Sequence, residues 1–138
     1  MYSPSEIKSE VDQLARKIRA PESLLPTYGR TRDAAHPHIE VDERGYHYVV
    51  VERGEELNRT TTGDIDKLLY HVFEGVTFSL ACEYAVRNRT GLRDFRRQLF
   101  RRQTELLSKL SPKWAELKAQ EHAQILSQHP FDDSLTHR

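Results

Sequence analysis

The chain has 138 residues, enough for one domain with a single core and no need of disulfide or metal staples. Hydrophobic residues make up 37% and charged residues 30%, a globular rather than disordered balance, and a formal net charge of zero argues against a general polyanion binder. Cys82 is the single cysteine, which excludes an intrachain disulfide, and no apolar run approaches the length of a membrane span.

The opening MYSPSEIKSE lacks the apolar stretch of a signal peptide, so a cytoplasmic location is expected. Within it, Ser3, Pro4 and Glu6 combine an N-cap, a proline at the first helical position and the acid of a capping box. Ile7, Val11, Leu14, Ala15 and Ile18 follow at helical spacing until Pro21, predicting an amphipathic first helix. From Pro21 to Pro37 the chain reads as irregular, with Leu24-Leu25-Pro26 tucked against the core.

Residues 39–62 are strand territory, and Glu-Arg-Gly occurs in them twice, at 43–45 and 52–54. Both glycines sit where a turn needs φ > 0, so the repeat reads as turn chemistry rather than a catalytic device. A bulged Glu43-Arg44-Gly45 loop would pair Asp42 with Tyr46, Glu40 with Tyr48 and Ile39 with Val49. That register places Ile39, Val41, Val49 and Val51 on one face, and Glu40, Asp42, Tyr46, Tyr48 and Val50 on the other.

The helical period returns after Asp64 with Ile65, Leu68, Leu69, Val72, Phe73, Val76 and Leu80. A third helix carries Leu92, Phe95, Leu99, Phe100, Leu106, Leu107 and Leu110 on one face. Ser111-Pro112 opens a fourth, whose weaker stripe is Trp114, Leu117 and Ile125, and the polar tail from about residue 129 is expected to fray. The expected architecture is α+β: an N-terminal helix, a small antiparallel sheet of two or three strands, then three helices packed on the sheet, in a single domain over 1–138.

Candidates for chemistry are few. His36, His38 and His47 cluster in sequence, but no spacing matches a metal site and Cys82 lies far away, so neither metal nor cofactor is assigned. No nucleophile elbow, phosphate loop or zinc-protease signature is present, and the carboxylate pairs Glu55-Glu56 and Asp132-Asp133 fall in turns or the tail. Residues 87–102 hold Arg87, Arg89, Arg93, Arg96, Arg97, Arg101 and Arg102 against Asp94 alone. Those arginines wrap the helix rather than lining one groove, which disfavours nucleic acid and leaves a protein partner or self-pairing. Glu83 and Gln103 fall on apolar stripes. Either Glu83 is buried and paired with Arg96, or the second helix changes phase after Gly75 and leaves it exposed.

The order LLPTYG, PHIEVDERGYHYVVVERGEEL, DIDKLLYHVFEGVTFSLACEY and DFRRQLFRRQTELLSKLSPKW resembles the immunity protein 63 family, encoded beside toxin genes in bacterial polymorphic toxin systems. The resemblance implies a non-enzymatic protein that binds a cognate toxin domain and blocks it. Runner-up functions are a nucleic-acid-binding regulator using residues 87–102 and a small enzyme with an unrecognised site. The toxin-facing candidates are Glu40, Arg44, Tyr46, Tyr48 and Glu52 on the hairpin's outer face, with Arg93, Arg97 and Arg101 on the third helix.

Overall fold

The computed structural model describes residues 1–89, 91 and 93–135; Leu92, expected on the third helix, lies outside them. The fold is α+β, and the chain divides into two compact units, Met1–Phe73 and Glu74–Arg138. No linker marks the boundary in the sequence because one continuous helix, α2 (Ile65–Arg87), carries the chain from the first unit into the second. Among the described residues no helix is long and apolar enough to cross a membrane.

The first unit opens with α1 (Pro4–Lys17), whose capping box forms as the sequence predicts: Ser3 Oγ accepts from Glu6 N, and the Glu6 carboxylate accepts from Ser3 N at 2.9 Å. Ile7, Val11 and Ala15 are its buried stripe. A short 3-10 turn, Glu22–Leu24, leads into a sheet in the order β1 (Thr27–Tyr28), β2 (Pro37–Asp42), β3 (Gly45–Glu52), β4 (Glu55–Thr62). β1 runs parallel to β2, and the other neighbours are antiparallel. The sheet thus has one strand more than expected, because β1 is too short for alternation to reveal. The first part of α2 adds Leu68, Leu69, Val72 and Phe73 to this unit's core.

The first hairpin departs from the expected register by one residue. Asp42 pairs with Gly45, Val41 with Tyr46, Glu40 with His47 and Ile39 with Tyr48, around a two-residue Glu43-Arg44 loop. Ile39, Val41, Tyr46 and Tyr48 therefore share one face, and His38, Glu40, Asp42, His47 and Val49 the other. The tyrosine face turns inward. Tyr46 is 2% exposed and its hydroxyl accepts from Tyr2 N at 2.6 Å, while the half-buried Tyr48 ring lies 6.3 Å from that of His71 on α2. This register splits the valines between the two faces, and both faces of the central strand β3 are buried, with Val49 fully buried opposite the tyrosines. Alternation decides register only where one face of a sheet meets water.

The histidines also have structural partners. His47 sits between the Asp42 carboxylate at 2.7 Å and the Thr61 hydroxyl at 2.8 Å, His38 contacts Glu40 at 2.7 Å, and His36 contacts the Leu25 carbonyl at 2.7 Å. Among the described residues no three His, Cys, Asp or Glu side chains are grouped to hold a metal ion.

The two Glu-Arg-Gly glycines do different work. At the β3–β4 turn Arg53 (φ 55) and Gly54 (φ 76) are both left-handed, as a two-residue primed turn requires, and a Cβ on Gly54 would meet open space. At Gly45 (φ 131) a Cβ would stand 2.7 Å from the Thr62 carbonyl oxygen, a backbone atom of the neighbouring strand. Gly45→Ala is therefore expected to cost roughly 2–3 kcal/mol, Gly54→Ala about 1 kcal/mol, and Gly54→Asn less. Urea unfolding measures all three; equal losses at the two positions would refute the steric account of Gly45.

In the second unit, the rest of α2 precedes α3 (Phe95–Ser108), α4 (Pro112–Gln128) and a 3-10 turn, Asp133–Leu135. Asp94 caps α3 by accepting from Arg96 N at 2.9 Å, and Ser111 caps α4 by accepting from Trp114 N at 3.3 Å. Ala81, Ala85 and Leu99 pack with Cys82, Phe95 and Phe100. After Val76 the buried positions of α2 run Thr77, Ala81, Ala85, a drift that leaves Glu83 exposed and paired with Arg87 rather than Arg96. Gln103 is buried.

Residues 129–133 of the tail are tied to the start of α3. Arg96 donates to the carbonyls of His129 (2.8 Å) and Pro130 (2.9 Å), Asp132 N donates to Asp94 at 2.9 Å, and Arg97 lies 4.2 Å from the Phe131 ring centroid.

Candidate partner-binding surface

Helix α4 buries Trp114 as expected but departs from the expected stripe at Leu117 and Ile125. Trp114, Lys118 and His122, at i, i+4 and i+8, are its buried residues, whereas Leu117 and Ile125 are 39% and 44% exposed. Burying a lysine and a histidine while leaving an isoleucine in water is unfavourable unless the polar groups are satisfied and the apolar ones serve a surface. The first condition is met.

The buried polar groups form one network. The Gln103 amide nitrogen donates to the Glu74 carbonyl at 3.1 Å and the Thr77 hydroxyl at 3.3 Å, leaving its oxygen to accept from His122 Nε2 at 3.1 Å. That arrangement places the proton of a neutral His122 on Nε2. Phe100 stacks on the imidazole with centroids 3.9 Å apart and planes 8° from parallel. Burial, reinforced by the Lys118 ammonium, lowers the His122 pKa to about 4, so the ring is neutral at physiological pH. Lys118 donates to Glu121 at 2.5 Å and lies 3.5 Å from the Glu74 carboxylate.

Over this floor opens a groove of about 310 Å³, lined by Glu74, Gly75 and Phe78 of α2, Phe100 and Gln103 of α3, and Lys118, Glu121, His122 and Ile125 of α4. Phe78 is 50% exposed at its edge. The floor is already hydrogen-bonded, the walls are apolar, and Glu74 and Glu121 are matched by Lys118. Such a groove suits an apolar side chain of a partner better than a reacting substrate. Gln103 stands out in the sequence on its apolar stripe, whereas His122 does not, because the inward stripe of α4 is partly polar; the i, i+4, i+8 spacing of Trp114, Lys118 and His122 is the available signal.

The expected contact residues fare unevenly. Tyr46 is buried and offers no outer area, a consequence of the corrected register. Arg44 and Glu52 are exposed, whereas Glu40 and Tyr48 are half-buried, with Glu40 joined to Arg59 at 3.1 Å. Those residues lie in the first unit. Arg93, Arg97 and Arg101 lie in the second, where Arg97 binds Asp133 at 2.9 Å and Arg101 approaches Glu105 at 3.8 Å. The arginine-rich segment turns largely on the protein's own groups: Arg87 on Glu83, Arg96 on Asp94, and Arg102 on Glu105 and the Tyr84 ring, 4.7 Å from its centroid. Much of the charge run is thus matched within the protein itself.

The sequence model of a family described as Immunity protein 63 matches residues 42–124. This chain belongs to the immunity protein 63 family. No curated protein and no solved structure matches it. The matched span of this immunity protein runs from the first hairpin into α4 and takes in every groove residue except Ile125.

Proposed function

We propose that this immunity protein neutralises a cognate bacterial toxin domain by direct protein–protein contact in the cytoplasm, as a binding protein rather than an enzyme, and that the Phe78–Ile125 groove is part of the contact surface. The observation that carries the reading is the arrangement of α4, which satisfies Lys118 and His122 inside and leaves Ile125 exposed at the groove, opposite the exposed Phe78 of α2. Exposed apolar area over a rigid, pre-satisfied floor is what a hot spot needs: a partner side chain gains burial without stranding a polar group. Arg93 and Arg101, exposed in the same unit, supply charge for orientation rather than most of the affinity.

The test uses the toxin domain encoded beside the immunity gene, in a co-expression survival assay and by calorimetry. Phe78→Asp with Ile125→Asp is expected to weaken binding about 100-fold or more and to abolish protection, with an unchanged circular dichroism spectrum. Leu57→Asp, an exposed apolar residue of the first unit, should be neutral. Full affinity in the folded double variant would move the interface off the groove. Failure of the wild-type protein to bind the adjacent toxin would reject the neutralisation reading itself.

A further inference from the structure

On the reading of the groove as a contact surface, we infer that it receives an arginine side chain of the toxin domain. The arginine stem lies along Phe78 and Ile125, and its guanidinium meets the Glu74 and Glu121 carboxylates. Glu74 and Phe78 stand at i and i+4 on α2, Glu121 and Ile125 repeat that spacing on α4, and all four line the groove. Each wall therefore offers a carboxylate and an apolar side chain one turn apart, about 5–6 Å, a distance that the three-methylene stem of an arginine covers. Gly75, exposed next to Glu74, adds no side chain to the α2 wall.

The charges of the groove favour a cation. Lys118 lies 3.5 Å from Glu74 and 2.5 Å from Glu121, one ammonium shared by two carboxylates, and the neutral His122 ring adds nothing to it. One positive charge against two negative ones leaves a negative charge in excess among the lining residues. The Glu74 and Glu121 side chains keep 40% and 49% of their surface, so a guanidinium reaches both with Lys118 still in place. Phe78, half exposed, supplies a ring for it to lie against. The protein makes the same combination within itself, where Arg97 lies 4.2 Å from the Phe131 ring centroid and donates to Asp133 at 2.9 Å. A wholly apolar side chain would bury against the walls but leave the excess charge unmatched. A lysine would bring a compact, strongly hydrated ammonium without the planar fork that serves two carboxylates and a ring at once.

Titration with butylguanidinium, followed through the Ile125 methyl and Phe78 ring signals by NMR, tests the groove without any toxin. Saturable shifts are expected, with a dissociation constant on the order of 10 mM for so small a ligand. The uncharged isostere pentanamide and the bare guanidinium ion should each bind at least about fivefold more weakly, the first for want of charge and the second for want of a stem. Glu74→Gln leaves Lys118 its closer partner Glu121, so it should weaken butylguanidinium about fivefold with the melting temperature kept. Pentanamide or bare guanidinium binding as tightly as butylguanidinium, or unchanged shifts in Glu74→Gln, would overturn the proposal. With the toxin, Glu74→Gln should lower affinity about fivefold and flatten its salt dependence. Unchanged toxin affinity in that variant, beside the expected loss in Phe78→Asp with Ile125→Asp, would reject the arginine and leave the groove standing. Loss in neither would reject both.

Discussion

Asp94→Ala is expected to destabilise the protein by about 3 kcal/mol and to release the C-terminal segment to limited proteolysis. Asp94 is 7% exposed, and its carboxylate accepts from Arg96 N at 2.9 Å, Arg96 Nη2 at 2.8 Å and Asp132 N at 2.9 Å. Its own amide donates to Asp133 at 2.6 Å. One side chain thus caps α3, balances a partly buried guanidinium and anchors the tail. Losing the cap costs about 1 kcal/mol, and leaving Arg96 without its carboxylate adds a further 2 kcal/mol or so. Asp94→Asn, which retains the cap acceptor, should lose roughly half as much. The Arg96 guanidinium holds the Asp94 carboxyl well below the usual carboxylate range, with backbone donors adding. Its stabilising contribution is therefore complete above the unfolded carboxylate pKa and is lost as pH falls through that value toward the lower folded one. Urea midpoints read the stability and protease cleavage reads the tail; a variant within about 0.5 kcal/mol of wild type would show that the anchor is redundant.

The floor of the groove should govern stability in mild acid. Because burial and Lys118 lower the folded-state pKa of His122 to about 4, protons favour the unfolded chain, whose histidine titrates near 6.5. The neutral ring's contribution is complete above that unfolded value and disappears as pH falls from about 6.5 to about 4, a loss on the order of 2 kcal/mol. His122→Phe keeps an aromatic ring against Phe100 but strands the Gln103 oxygen, so it should cost about 1–2 kcal/mol at neutral pH. It should also remove this part of the pH dependence, so the two stability curves converge or cross near pH 5. Parallel curves would refute the assignment of the acid response to His122. Gln103→Ala, which removes the donor to Glu74 and Thr77 and the acceptor for His122 at once, is expected to cost about 3 kcal/mol at every pH in this range.

Much of the fold was legible in the chain itself, wherever the determining interactions are local. Ser3-Pro4-Glu6 and Ser111-Pro112 announce helix starts because a cap satisfies backbone donors only a few residues away. The stripes Ile7–Val11–Ala15 and Leu99–Leu106–Leu107 report burial because each helix face is set by its own period. Gly54 reads as a turn for the same reason, and the family is readable because its pattern spans the strands and helices together.

What only the tertiary structure decided depends on groups far apart in sequence. The hairpin register turned on β3 being buried on both faces, at Tyr46 on one and at His47 and Val49 on the other, which alternation within the strand does not record. Gly45 is required by the Thr62 carbonyl across the sheet rather than by its own turn. Residues 129–133 are held by Asp94, Arg96 and Arg97, more than thirty positions away. The inward turn of Lys118 and His122 pays for their burial through Glu121 and Gln103, the latter nineteen positions earlier. A hydrophobic pattern records which side chains avoid water; it carries no record of which polar ones find partners, and those partnerships shaped the candidate surface.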